Sequence, residues 1–162
     1  GHATYYGAGG AGVHGACSQD FVYPGYVTVA MNTAQYNGGL VCGACVRACI
    51  TKPSGRECYN AIVDNECPSC ANNDLDFGLA GTGIYPVNWT YIQCPYRSSL
   101  LISTQGSNGY YGKIKVQGSG ALTGLTARGI TATSTHDGFW VVNDGSGNLG
   151  CGSSVTASFT YG

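Results

Sequence analysis

The chain has 162 residues, only 9% of them charged, and a formal net charge of −1. So neutral a surface excludes electrostatic docking on nucleic acid or an anionic membrane, and no apolar run approaches the roughly 20 residues of a membrane-crossing helix. Nine cysteines point to an oxidising compartment, and the sequence reads as the mature form of a secreted protein.

In chain order, the first strand-like run is 26–30 (YVTVA). Asn32–Gln35 then has the form of a capping box, with Gly38 as the stop of a short helix. Further strands are expected at 40–50, 59–63 and 87–93, and a short turn after Asp74, limited by Gly78 and Gly81. A boundary follows Cys94 and Pro95, dividing the chain into 1–97 and 98–162 with no long linker between. The second part reads as strands 99–105, 110–117, 121–127, 129–135, 138–143 and 154–161. Alone, a β unit of that size has a marginal core, so it is expected to dock rigidly on the first. The pattern is all-β with two stubby helices.

The surface must be built from Gly, Ser, Thr, Asn and Tyr, with 27 glycines and 12 tyrosines. Flat rings stack on sugar faces, and neutral amides and hydroxyls bond sugar hydroxyls. A neutral polysaccharide suits such a surface. Asn88-Trp89-Thr90 is an N-glycosylation sequon, but its PVNWTYI setting reads as a structural strand.

Four of the eight acidic residues, Asp64, Glu66, Asp74 and Asp76, crowd around Cys67 and Cys70. Clustered carboxylates repel one another, which marks a polar site on an otherwise neutral scaffold. Asp64 and Asp76 could instead satisfy loop amides, and Asp74 reads as a solvated turn or N-cap residue. The spacing Cys42-x2-Cys45 and Cys67-x2-Cys70 has the form of a zinc ribbon. Five further cysteines and the secreted composition favour disulfides and no metal. Cys151, between two glycines, is either an exposed thiol or a buried lone one. His2, His14 and His136 show no ligand spacing.

GHATYYG (1–7), GAC (15–17), VAMNTAQYNGGLVCGAC (29–45), VDNECPSC (63–70), DLDF (74–77) and YIQCP (91–95) stand in the order seen in expansins. SNGYYGKIKVQ (107–117) resembles the aromatic-bearing strand of the second expansin domain. The resemblance covers nearly the whole chain. It implies a six-stranded double-psi β-barrel over 1–97, followed by a small immunoglobulin-like β-sandwich over 98–162. It also implies the bridges Cys17–Cys42, Cys45–Cys94, Cys49–Cys58 and Cys67–Cys70.

By the same resemblance, Asp76 is the groove carboxylate that serves as general acid in the related family 45 endoglucanases. Thr4 bonds it, Asp64 is a second groove carboxylate, and Tyr6 lines the sugar path. Inverting hydrolysis needs an opposing base, with a gap of roughly 6.5–9.5 Å for water. The segment Ala3–Ala8, where the base would stand, has no acid. The implied function is therefore non-hydrolytic loosening of cell-wall β-glucan, cellulose or xylan, by a monomer without cofactor, outside the cell or in the wall. Glu66 is the candidate displaced base of a rival, weak endoglucanase, or otherwise a sugar contact. A pure carbohydrate-binding or wall-structural protein and a barwin-like defence protein are the other rivals.

Tyr110, Tyr111 and Trp140 are the candidate aromatics of the second part. Alternation sends Tyr111, Lys113 and Lys115 to solvent and Tyr110, Ile114 and Val116 inward, unless a bulge or strand end exposes Tyr110 as well. Trp140, beside Phe139 and Val141, is equally readable as a core residue.

Overall fold

The computed structural model describes residues 1–7 and 15–161. Six strands close a barrel: β1 (His2–Tyr5), β2 (Val27–Asn32), β3 (Cys45–Lys52), β4 (Gly55–Cys67), β5 (Leu75–Phe77) and β6 (Tyr85–Ile92), in the order β1-β5-β2-β4-β3-β6. The pairs β1–β5 and β2–β4 are parallel, and the other pairs are antiparallel. Alternate residues turn inward, and Val29, Met31, Val46, Ile50, Leu75 and Phe77 fill the interior without exposure.

The closed six-stranded barrel matches the expected fold class, with local corrections. Residues 40–44 are turns, because Gly39 and Gly43 both take positive φ, and the strand starts only at Cys45. The segment after Asp74 is the strand β5 and not a turn. Three residues are too few for a readable period, but Leu75 and Phe77 are core residues with Asp76 between them. The short helix α1 (Thr33–Tyr36) does form. Asn32 caps it by accepting from the Gln35 amide at 3.1 Å, and it ends at Asn37, in the left-handed region.

The second half comprises two sheets. One holds β9 (Ala121–Ala127), β10 (Ile130–Thr131) and β13 (Val155–Thr160), and the other β7 (Leu101–Thr104), β8 (Tyr111–Gln117), β11 (Thr133–Ser134) and β12 (Trp140–Asn143). The expected strand 129–135 is thus split between the sheets. Ile114, Val116, Leu125, Trp140 and Val142 form the core between them.

Lys115 corrects the alternation argument. It is 3% exposed, because the barrel covers the outer face of β8. Its Nζ meets the Asp20 carboxylate at 2.8 Å and donates to the Ser18 carbonyl. Gln117 Nε2 donates to Gln19 Oε1 at 2.9 Å alongside. Gly138 lets the two halves touch, since a Cβ there would fall 2.3 Å from the Cys17 carbonyl oxygen. The Cys94 amide donates to the Tyr161 carbonyl at 2.7 Å, and the Tyr161 ring stacks on Tyr91 at 4.2 Å.

All four implied disulfides are present, Cys17–Cys42, Cys45–Cys94, Cys49–Cys58 and Cys67–Cys70. The four cysteines of the ribbon-like spacing are divided among three bridges, which removes the zinc reading. Cys151 is free and exposed.

Candidate functional site: an acidic groove across the barrel

Residues 2, 4 and 6 share one face of β1 and its continuation, because side chains alternate along a strand while Ala3 enters the core. The parallel register sets Thr4 opposite Asp76 on β5. Thr4 Oγ1 therefore donates to Asp76 Oδ1 at 2.6 Å. Both line an open hollow of about 390 Å³, walled also by His2, Asp74, Ile84 and the Cys67–Cys70 bridge.

One rung further along, Asp74 Oδ1 accepts the His2 amide at 2.6 Å and lies 3.3 Å from His2 Nδ1. Its Oδ2 accepts the Ala71 amide at 3.0 Å. Burial would raise the Asp74 carboxyl, but these bonds outweigh it and hold the pKa below the usual value. Asp74 is thus neither merely solvated nor a helix cap.

Asp64 lies on the other side of the Thr4 rung. It is the extra residue of a bulge in β4, since Val29 pairs with Val63 and Ala30 with Asn65. It is fully buried. Gly15 allows the covering chain to approach; a Cβ there would fall 2.2 Å from the Asp64 carbonyl oxygen. The Cys17 amide donates to that oxygen at 3.0 Å. Burial pushes the Asp64 carboxyl up to about 7, against the hydrogen bond from Tyr6. Tyr6 OH donates to Asp64 Oδ1 at 3.3 Å and sits 3.4 Å from Thr28 Oγ1. Burial also pushes the Tyr6 phenol up to about 12. Asp64 is thus an enclosed carboxyl beneath Tyr6 and does not line the hollow.

All eight side-chain carboxylates fall within the described residues. Glu66 accepts from Thr33 Oγ1 at 2.6 Å, at the start of α1, and does not line the hollow either. Glu57, Asp137 and Asp20 pair with Lys52, Lys113 and Lys115, and Asp144 accepts from Ser146. The hollow therefore holds two carboxylates, Asp76 and Asp74, on one short segment. Among the described residues no group of His, Cys, Asp and Glu side chains could hold a metal ion. Ala8 and His14 lie outside the described residues.

Of the aromatic candidates, Tyr110 is 65% exposed and Tyr111 only partly so. Strand β8 starts at Tyr111, so Tyr110 precedes the alternation that would have sent it inward. Asn108 Oδ1 accepts both their amides, at 2.8 and 3.0 Å. Trp140 is 9% exposed inside the sandwich core, which corrects its candidacy as a surface contact.

Sequence reasoning missed the His2–Asp74 rung, Thr28 and Ile84. The signal for His2 was available: counting by two from Thr4 puts it on the groove face.

No family model matches the chain. Expansin-B3 of Arabidopsis thaliana is 26% identical over 169 aligned residues, covering 79% of this chain and 64% of that protein. The chain thus spans less than two thirds of that relative's length. Two structures of Clavibacter michiganensis expansin, a point mutant in complex with cellohexaose and the apo protein, superpose with TM-scores of 0.80 and 0.78. Both are 23% identical to this chain, cover all of it, and are themselves covered to 85%. At that identity they establish the shared fold. The chain is thus similar in sequence to a plant expansin and shares the fold of a bacterial one.

Proposed function

We propose that this chain is a secreted, monomeric protein that binds a β-glucan of the cell wall and loosens it without cutting it. The units 1–97 and 98–162 act together, the barrel groove holding one chain and Tyr110, beside Tyr111, supplying a contact on the sandwich.

One observation carries this reading. Asp76 faces an open hollow in which its only carboxylate companion, Asp74, has both oxygens bonded by backbone amides. Asp76 accepts the Thr4 hydroxyl, and no free carboxylate stands across from it to activate water. Such a site can hydrogen-bond sugar hydroxyls and compete with contacts between glucan chains. The bond from Thr4 fixes the Asp76 rotamer, which reduces the ordering cost of binding. The cellohexaose complex of the bacterial expansin adds support, because that protein has the same fold. The endoglucanase rival is disfavoured by Glu66, which is tied to Thr33 outside the hollow.

Mechanical extension of wetted cellulose paper tests the proposal. Wild-type protein should raise the extension rate, and Asp76→Asn or Thr4→Ala should abolish most of the effect while retaining the fold. Full extension activity in Asp76→Asn would move the function away from this groove.

A further inference from the structure

Gly112 opens a space inside the sandwich. Strand β8 turns Gly112, Ile114 and Val116 inward, and the two branched residues fill the core there. Gly112 is buried like them but brings no side chain. On the facing sheet, β9 turns in Leu125 and then Ala127, which pairs with Val155 of β13. Packed sheets lie about 10 Å apart and are ordinarily filled by side chains from both. With Gly112 and Ala127 in those places, a hollow of about 450 Å³ remains. Ile102 of β7 lines it and is 62% exposed. Its neighbour Ser103 turns the other way, to the barrel, where its Oγ donates to the Asp20 carboxylate at 3.2 Å. Leu149 walls the hollow as well, held by its amide, which donates to the Gly109 carbonyl at 2.9 Å.

The lining specifies the occupant. The volume falls in the range of small-molecule sites, roughly 300–1,000 Å³. Among the described residues no charged side chain lines the hollow, and an ion would lose its hydration there without a counter-charge, so the occupant is neutral. Ile102, Ile114, Leu149 and Val155 give apolar walls, which would leave most hydroxyls of a sugar without partners. One polar group stands at the mouth. Asn108 Oδ1 accepts the Tyr110 and Tyr111 amides, which fixes the side chain and leaves its NH2 to donate.

We propose that this hollow binds a small neutral lipophile with a carbonyl-type acceptor at its outer end, met by Asn108. The site lies in the sandwich, away from the Asp76 groove, and does not depend on the groove reading. Cys151, free and exposed at the rim, takes no part in the binding but reports on occupancy.

Prodan, a neutral naphthalene bearing a ketone, is the probe. The wild type should bind it saturably and shift its emission to the blue. A Cβ at Gly112 meets only Ile114 and Leu149 methyl and methylene groups, the nearest at 3.6 Å, so Gly112→Leu fills the hollow without a backbone clash. It should weaken prodan at least about tenfold. Ile102→Asp alters an exposed position, which spares the fold, and sets an unpaired charge in the wall; it should weaken prodan by a similar factor. Bound prodan should also slow alkylation of Cys151 by N-ethylmaleimide, the other cysteines being bridged. No saturable binding by the wild type, binding that survives either substitution, or alkylation at an unchanged rate would overturn the inference. So would displacement of prodan by cellohexaose, which would put the probe in the groove. A concentration-dependent dimer in sedimentation that excludes prodan would give the hollow to a second copy and overturn it too.

Discussion

The two halves solve the problem of stability differently. The barrel half carries all four disulfides, a fully buried interior and the hollow lined by Thr4, Asp74 and Asp76. The sandwich half carries no bridge. It keeps an open apolar hollow of about 450 Å³ between its sheets and leaves Ile102 and Tyr110 exposed. Cross-links limit the unfolded chain's freedom and hold polar groups in register. A small sandwich without them leans on its neighbour, here through Lys115, Gln117 and Gly138. The bridged half is the one that holds Thr4 against Asp76 and His2 against Asp74.

The contrast can be broken most forcefully from the sandwich side. Trp140→Ala removes the largest core side chain there and should cost about 3–5 kcal/mol. Calorimetry should show the sandwich melting early while the bridged barrel transition persists; a single unshifted transition would mean that Trp140 supports nothing. Lys115→Met should cost less, about 2 kcal/mol, because Asp20 remains about a third exposed and partly solvated. It should loosen docking and separate two unfolding transitions that coincide in the wild type.

Asp64 sharpens the barrel side. Its folded pKa lies near 7, above the unfolded carboxyl's, so the native state binds more protons than the unfolded state between about pH 4 and 7. This contribution to stability is fully present below that window and is lost as pH rises through 7. Asp64→Asn should flatten the decline, and urea unfolding at pH 5, 7 and 8 measures it; an unchanged slope would assign the decline elsewhere. The smallest effect on folding belongs to Tyr110→Ala, within about 0.5 kcal/mol of wild type. Its binding to insoluble cellulose should nevertheless fall several-fold, and further than in Tyr111→Ala. The opposite order in a pull-down would restore the alternation reading.

The sequence was most legible where chemistry is local. The resemblance paired Thr4 with Asp76, and the strand register sets the two side by side. The bridge pattern came from the resemblance and not from spacing, which had left a zinc site open. Asp64 was found, but its enclosure was not, because that depends on a bulge and on the approach of Gly15. Alternation identified the buried face of β8 at Ile114 and Val116, yet it carries no information on what covers the other face. Lys115 was therefore assigned to solvent. For Tyr110 the strand-end alternative holds, since a period applies only inside the strand and the strand starts one residue later.

The most direct measurement of the central claim is the number of reducing ends released from amorphous cellulose that the protein has bound. The account predicts binding with no new ends above the buffer control, in wild type and Asp76→Asn alike. Steady release by the wild type that disappears in Asp76→Asn would contradict it, because a water-activating partner would then have to act opposite Asp76.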